Sequence, residues 1–238
     1  MPQNQTPRQR ARAQTLEDIT RIGRRHLATE GAAALSVRAV ARDLGVVSSA
    51  IYRYVRSRDD LLTLLLVDGY NDLGDAVDEA AGAVAADDFR GRFLAIGRAV
   101  RTWALREPAT YALLFGSPVP GYRAPSDQTT GPGTRVITAL VRLWEDAHEA
   151  GAVQAPDSPG LPISPALAAD MERIRAEFSV GTPDDLVARG VLAWAALFGC
   201  VSFEVFGQYG PDTFNGVDDL FELQLQLLAD TTGLTTAG

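Results

Sequence analysis

The sequence predicts an all-α protein, with an N-terminal three-helix helix-turn-helix domain and a larger C-terminal helical domain. Two patterns carry that prediction. Apolar residues recur at steps of three and four along most of the chain, while no segment alternates as a half-buried strand does and no repeat period stands out. The charge is also divided: all 22 basic residues are arginine, and residues 1–60 hold 11 of them against six acids, whereas residues 61–238 hold 11 against 24. Net charges of +5 and −13 suit a basic module that meets a polyanion, joined to an acidic body that does not. At 238 residues and 46% hydrophobic content, the chain can bury a substantial core.

Each element has a local reason. Residues 1–13, with "RQRAR" at 8–12, read as a flexible basic arm. Leu16, Ile19, Ile22 and Leu27 give the first helix its face, Thr15 and Asp18 a capping box, and Gly31 an end. Ser36 caps a short second helix with Val37, Val40, Ala41 and Leu44 on one side, and Gly45 stops it. A third helix begins near Val47 or Ser48 and reaches about Tyr54, so that residues 14–58 make a helix-turn-helix. After Ser57, Asp59 and Asp60 sit in the first turn of a long fourth helix that opens the second domain, 59–238. Phe89, Phe93, Ile96, Val100 and Trp103 mark a helix over 88–106 that Pro108 stops, and a short segment follows at Tyr111 to Phe115. "GSPVPGYRAPSDQTTGPG" reads as a loop, followed by a helix from Thr134 to Ala150. "QAPDSPGLPISP" is a second loop, with Ser164 as cap and Pro165 at the first position of a helix over 165–179. Two long helices within 182–210 and 212–233 close the chain.

Several chemistries find no motif. The two histidines lie 122 positions apart, there is one cysteine, and no His-x-x-x-His, Cys-x-x-Cys or phosphate-cradling glycine loop occurs, so neither a catalytic set nor a metal or cofactor site is expected. The acid pairs Asp59-Asp60, Asp87-Asp88, Asp184-Asp185 and Asp218-Asp219 fall at helix starts, where capping and the helix dipole account for them. Cys200 lies in the apolar "WAALFGCVSF" and reads as a buried, inert thiol. With no run of eighteen apolar residues and no apolar stretch in "MPQNQTPRQRARAQT", a cytoplasmic address and no membrane partner are expected.

Residues 15–65, through "LSVRAVARDLGVVSSAIYRYVRSRDDLL", resemble the DNA-binding domain of the tetracycline-repressor (TetR) family. The carboxy-terminal part resembles the subgroup whose ligand domain carries Trp-x-x-x-His-Gly, here "WAALFG" with Phe198 at the usual histidine, preceded by "LLFGSPVPGY". The resemblance implies a homodimeric transcriptional regulator, in all expectation a repressor, released from a palindromic operator in double-stranded DNA by a small effector. Its second motif helix enters the major groove, with Ser48, Ser49 and Tyr52 toward base edges and Val47 against a thymine methyl. Arg38, Arg53, Tyr54 and Arg58 are phosphate holders, Arg53 also being suited to guanine, and the 8–12 arm is either a solvated tail or a minor-groove arm. Trp103, Tyr111, Phe115, Tyr122, Trp144, His148, Phe178, Trp194 and Phe198 are the candidates for an apolar effector pocket. Absence of a basic cluster among the central helices favours an apolar or aromatic effector over a phosphorylated one. Ala188, Ala195, Gly199 and Ser202, with Leu220, Leu223 and Leu227, form the expected dimer faces in a four-helix bundle. The alternative from a different class is an all-helical binding or carrier protein, or an enzyme, without DNA binding; salt-sensitive, sequence-specific duplex binding separates the two.

Overall fold

The computed structural model describes residues 6–154 and 162–235, and among them are eleven helices, no strand and one isolated antiparallel bridge between Val153 and Leu234. They are α1 (Pro7–Ala34), α2 (Val37–Asp43), α3 (Ser48–Ile51), α4 (Arg58–Gly82), α5 (Phe89–Arg106), α6 (Pro108–Phe115), α7 (Ser126–Gly133), α8 (Arg135–Glu149), α9 (Pro165–Phe178), α10 (Asp184–Val205) and α11 (Val217–Thr232). The chain divides into two compact units, one of residues 1–72 and 107–133, the other of residues 73–106 and 134–238.

Unit 1 is built on the helix-turn-helix. Ile19, Ile22 and Leu27 of α1 meet Val37, Val40 and Ala41 of α2, with Ile51, Val55, Leu61, Leu62 and Leu65 completing one buried core. Gly45, at φ 72°, ends α2: its N–H donates to Arg42 and that of Val46 to Ala41, the left-handed closure that turns the chain toward α3. Arg24 of α1 donates to Asp68 at 2.6 Å and Asp72 at 3.0 Å on α4. The sequence boundary at 58/59 falls at the start of α4, but the first turns of α4 pack into the helix-turn-helix core, and unit 1 extends to Asp72.

Three elements differ from their sequence expectations. Helix α1 starts at Pro7 rather than near Thr15, because Thr6 and Gln9 form the capping box and Pro7 takes the first turn; residues 7–13 are therefore helix, while 1–5 lie outside the described residues. Helix α3 is shorter than expected, Ser48–Ile51, and turn hydrogen bonds carry the chain on through Val55. Helix α7 occupies part of the expected loop: the Pro125 carbonyl accepts from the Gln128 and Thr129 N–H groups, and the Gly-Pro-Gly cluster falls at the end of the helix. Within the expected loop at 154–165, residues 155–161 lie outside the described residues.

Unit 2 packs α5 against α8, α10 and α11 around Phe93, Ile96, Val100, Trp103, Leu140, Leu143, Leu197, Val201 and Leu225. Gly97 permits the close approach of α11, since a Cβ there would stand 2.4 Å from a Leu225 methyl. Arginines along α5 tie it to the closing helices: Arg90 to Asp230 at 2.7 Å, Arg98 to Glu222 at 2.5 Å, and Arg101 to both Glu204 and Asp218. Ser164 caps α9 as expected, Asp88 accepts from the Gly91 N–H, and Asp184-Asp185 and Asp218-Asp219 occupy first turns. Helix α10 is apolar enough to cross a membrane by length and composition, at a mean hydropathy of 1.8, yet Leu186, Ala193, Leu197 and Val201 are buried within unit 2. Cys200 is half-buried, and burial raises its thiol pKa.

Candidate nucleic-acid interface and effector cavity

Ile51 and Val55, both buried, anchor the third helix, and their period turns the intervening side chains outward. Val47, at the N-cap, is 71% exposed; Ser48, Ser49, Tyr52 and Arg53 are exposed on the same short element, and Arg38 is exposed on α2. Tyr54 is half-buried beneath the Arg12 guanidinium, which lies 5.2 Å from its ring centroid. Arg58 is turned differently from the others: its Nη2 donates to the Ala32 carbonyl at 3.0 Å and weakly to that of Ala33, so it fixes the start of α4 to the end of α1.

Ion pairing differs among the arginines. Arg90, Arg92, Arg98, Arg101, Arg135, Arg175 and Arg189 of unit 2 all have carboxylate partners. Among the described residues Arg38, Arg53 and Arg56 have none, which leaves their charge available to an external anion. Between α1 and α2, His26 Nε2 lies 2.8 Å from Asp43. That contact, with Arg25, holds the Asp43 carboxyl below its ordinary pKa.

Unit 2 contains an apolar cavity of about 160 Å³ among α8, α9 and α10. Of the nine aromatic and histidine candidates it gathers three, Trp144, Phe178 and Trp194. Trp103 is 1% exposed in the unit 2 core, His148 is exposed in the last turn of α8, and Phe198 stacks edge-on to Trp194 outside the cavity lining. Tyr111, Phe115 and Tyr122 belong to unit 1, where Phe115 contacts Tyr70 and Tyr111, and the Tyr122 hydroxyl is 2.9 Å from that of Thr63. Burial raises the pKa values of Tyr70 and Tyr122.

Most of the cavity wall is aliphatic. Ile137, Val141 and Trp144 on α8, and Val187, Val191 and Trp194 on α10, share the spacing i, i+4, i+7, and Ile174 and Phe178 repeat it on α9. That periodicity marks one face on each helix and is legible in the sequence. Thr182 supplies the polar exception, and its hydroxyl donates to Glu145 at 2.5 Å. Desolvation opposes ionisation of Glu145, but hydrogen bonds from Thr182 and the Gly181 N–H outweigh it and lower the carboxyl pKa.

On the dimer-candidate faces, Ala188, Ala195, Leu223 and Leu227 are exposed, with Gly199, Ser202 and Leu220 partly so. A Cβ at Gly199 would meet nothing within 4 Å. Leu192, Phe203 and Phe206 on the same helices are exposed as well.

A helix-turn-helix with an outward basic face, carried on a helical body that holds a small apolar cavity, defines a DNA-binding regulator class. Family comparison agrees: the model described as "Bacterial regulatory proteins, tetR family" matches residues 19–65, and "Tetracyclin repressor-like, C-terminal domain" matches 93–228. The HTH-type transcriptional regulators Rv1816 of Mycobacterium tuberculosis and Mb1846 of Mycobacterium bovis are each 47% identical over 222 residues, covering 93% of this chain and 93% of theirs. The solved structure of the regulatory protein SCO4313 is 33% identical, with a TM-score of 0.75 over 94% of this chain and 100% of that one. A regulatory protein in the tetR family from Rhodococcus RHA1, 15% identical with a TM-score of 0.59 over 92% and 97% of the two chains, shares the fold. The chain belongs to the TetR family; it is a helix-turn-helix transcriptional regulator and not an enzyme.

Proposed function

We propose that the protein is a homodimeric repressor that binds a palindromic operator in the cytoplasm and is released by a small, largely apolar or aromatic ligand. The observation that carries the DNA side is the outward face of Val47, Ser48, Ser49, Tyr52 and Arg53, held by Ile51 and Val55 beneath. In this reading Val47, the serines and Tyr52 address base edges, while Arg38, Arg53 and Tyr54 address phosphates. Arg58, held by the Ala32 carbonyl, positions the start of α4 rather than holding a phosphate itself. The exposed Ala188, Ala195 and Leu223–Leu227 faces support a four-helix dimer interface. Two copies double the contacts and impose a palindrome.

The cavity supports the effector reading. Its apolar walls favour a ligand with few polar groups, and of the nine candidate positions Trp144, Phe178 and Trp194 act as direct contacts. In this reading the coupling starts where α8, which lines the cavity, begins at Arg135, which pairs with Asp75 at 2.7 Å and with Asp78 on α4. Helix α4 runs unbroken from Arg58 to Gly82, so a ligand that moves α8 biases the helix whose first turn belongs to the reading head. The ligand must bind the two arrangements differently, with coupling on the order of 1–3 kcal/mol.

The test is operator binding by Tyr52→Ala and Arg53→Ala. Both should weaken specific binding while helical content and dimerisation persist. Undiminished binding by both variants contradicts the assignment of the reading face. For the effector, apolar compounds that quench tryptophan fluorescence should release DNA; release by a sugar phosphate or a nucleotide instead contradicts the cavity assignment.

A further inference from the structure

We propose that Arg12, Arg53 and Arg56 form a clamp for one backbone phosphate of the operator, with the first turns of α1 supplying a cation held in place before DNA arrives. The proposal rests on the DNA-binding reading above and adds a contact outside the reading helix. These three arginines line one cleft of about 470 Å³ in unit 1, together with Tyr54, Asp60 and Gln128. Arg12 is fixed twice over. The Thr6–Gln9 capping box makes its segment helix, and its guanidinium carbon lies over the Tyr54 ring, 5.2 Å from the centroid.

The local charge is unbalanced. Asp60 lines the cleft, but its carboxylate already accepts the Arg56 backbone N–H at 2.9 Å in closing the start of α4. No carboxylate pairs with Arg12, Arg53 or Arg56 among the described residues. Arg12, Arg53 and Arg56 line the same cleft, so their like charges favour an anion there, and guanidinium donor forks match the tetrahedral oxygens of a phosphate. Gln128 offers a neutral amide on another wall. Arg53 directly follows Tyr52, so the cleft adjoins the reading residues, and duplex DNA presents a charge about every 1.7 Å along its axis.

The experiment uses the full-length protein and a palindromic duplex selected by it from a random pool. Each backbone phosphate is neutralised in turn as a methylphosphonate, and Kd is measured for the unaltered protein, Arg12→Gln and Arg56→Gln. One neutralised phosphate per half-site should cost the unaltered protein about tenfold and the two variants almost nothing further, since their contact is already lost. On the intact duplex Arg12→Gln should bind about tenfold more weakly, and its dimer should show a salt slope shallower by about two. Helical content should persist, because replacing a cation near a helix N-terminus does not cost stability. If both variants keep the full sensitivity pattern of the unaltered protein, the clamp is wrong although the reading head stands. If the unaltered protein selects no duplex, the DNA-binding reading itself fails and takes the clamp with it.

Discussion

Gly69 on α4 gives a stability prediction of defined sign. A Cβ added there would lie 2.7 Å from the Thr110 Cγ2 methyl on α6, and 3.4 and 3.5 Å from the two Leu114 methyls. Thr110 is 2% exposed and β-branched, so its methyl has little room to withdraw. In a free helix Gly→Ala gains about 1 kcal/mol, whereas overpacking a buried contact costs about 1–3 kcal/mol. The overlap falls below any ordinary contact, so the clash should win: Gly69→Ala loses about 1 kcal/mol, and Tm falls by about 2–4 °C for a chain of this length. Thr110→Ser deletes the offending methyl at a cost near 0.8 kcal/mol. In Gly69→Ala/Thr110→Ser the helix gain returns, so the double variant should be at least as stable as Thr110→Ser alone, with a coupling above 1 kcal/mol. Urea unfolding of the four proteins at one fixed concentration, followed by circular dichroism, closes the cycle. A stabilised Gly69→Ala whose effect adds simply to that of Thr110→Ser would refute the close α4–α6 packing.

Other perturbations give separate tests. Val141→Phe extends into the 160 Å³ cavity and should leave Tm unchanged or higher, whereas Val100→Phe in the filled core should lower stability by about 1–3 kcal/mol; equal losses contradict an open cavity. Leu223→Arg/Leu227→Arg changes side chains that are 59% and 55% exposed, so sedimentation should show folded monomers in place of dimers, and a persistent dimer contradicts the assigned face. Asp43 is held below its ordinary carboxyl pKa of 3.8 by His26 and Arg25, so its contribution is present above that pH and disappears as pH falls through the lower folded value. Asp43→Asn should therefore flatten the acid limb of the stability curve, and an unchanged limb counts against the interaction.

The helical periods and caps were readable where chemistry is local. Ser36, Gly45, Ser164 and the paired acids at helix starts act over three or four residues, and the structure places each as its type suggests. The start of α1 differs because Thr15 and Asp18 offer a second capping box in the sequence, whereas in the structure the Thr15 hydroxyl returns to the Ala11 carbonyl within a longer helix. The helix-turn-helix face followed from one short stretch. The cavity did not, because aromatics at helical spacing occur equally in cores, and partners distant in sequence decide that Trp103 is packed while Trp194 opens onto the cavity. Arg12 was likewise illegible as a placed cation, since its stacking partner Tyr54 lies 42 positions away.

The central claim is sequence-specific DNA recognition by a two-fold dimer through the third helix. The most direct measurement is selection of duplexes from a random pool by the full-length protein, followed by Kd and stoichiometry on the enriched sequence and on a scrambled one. The account predicts an inverted repeat bound by two protomers, at least a thousandfold more tightly than scrambled duplex at the same salt, on the order seen for specific regulators. Tyr52→Ala should erase most of that difference. Enrichment of no sequence, or equal affinity for the scrambled duplex, would contradict it.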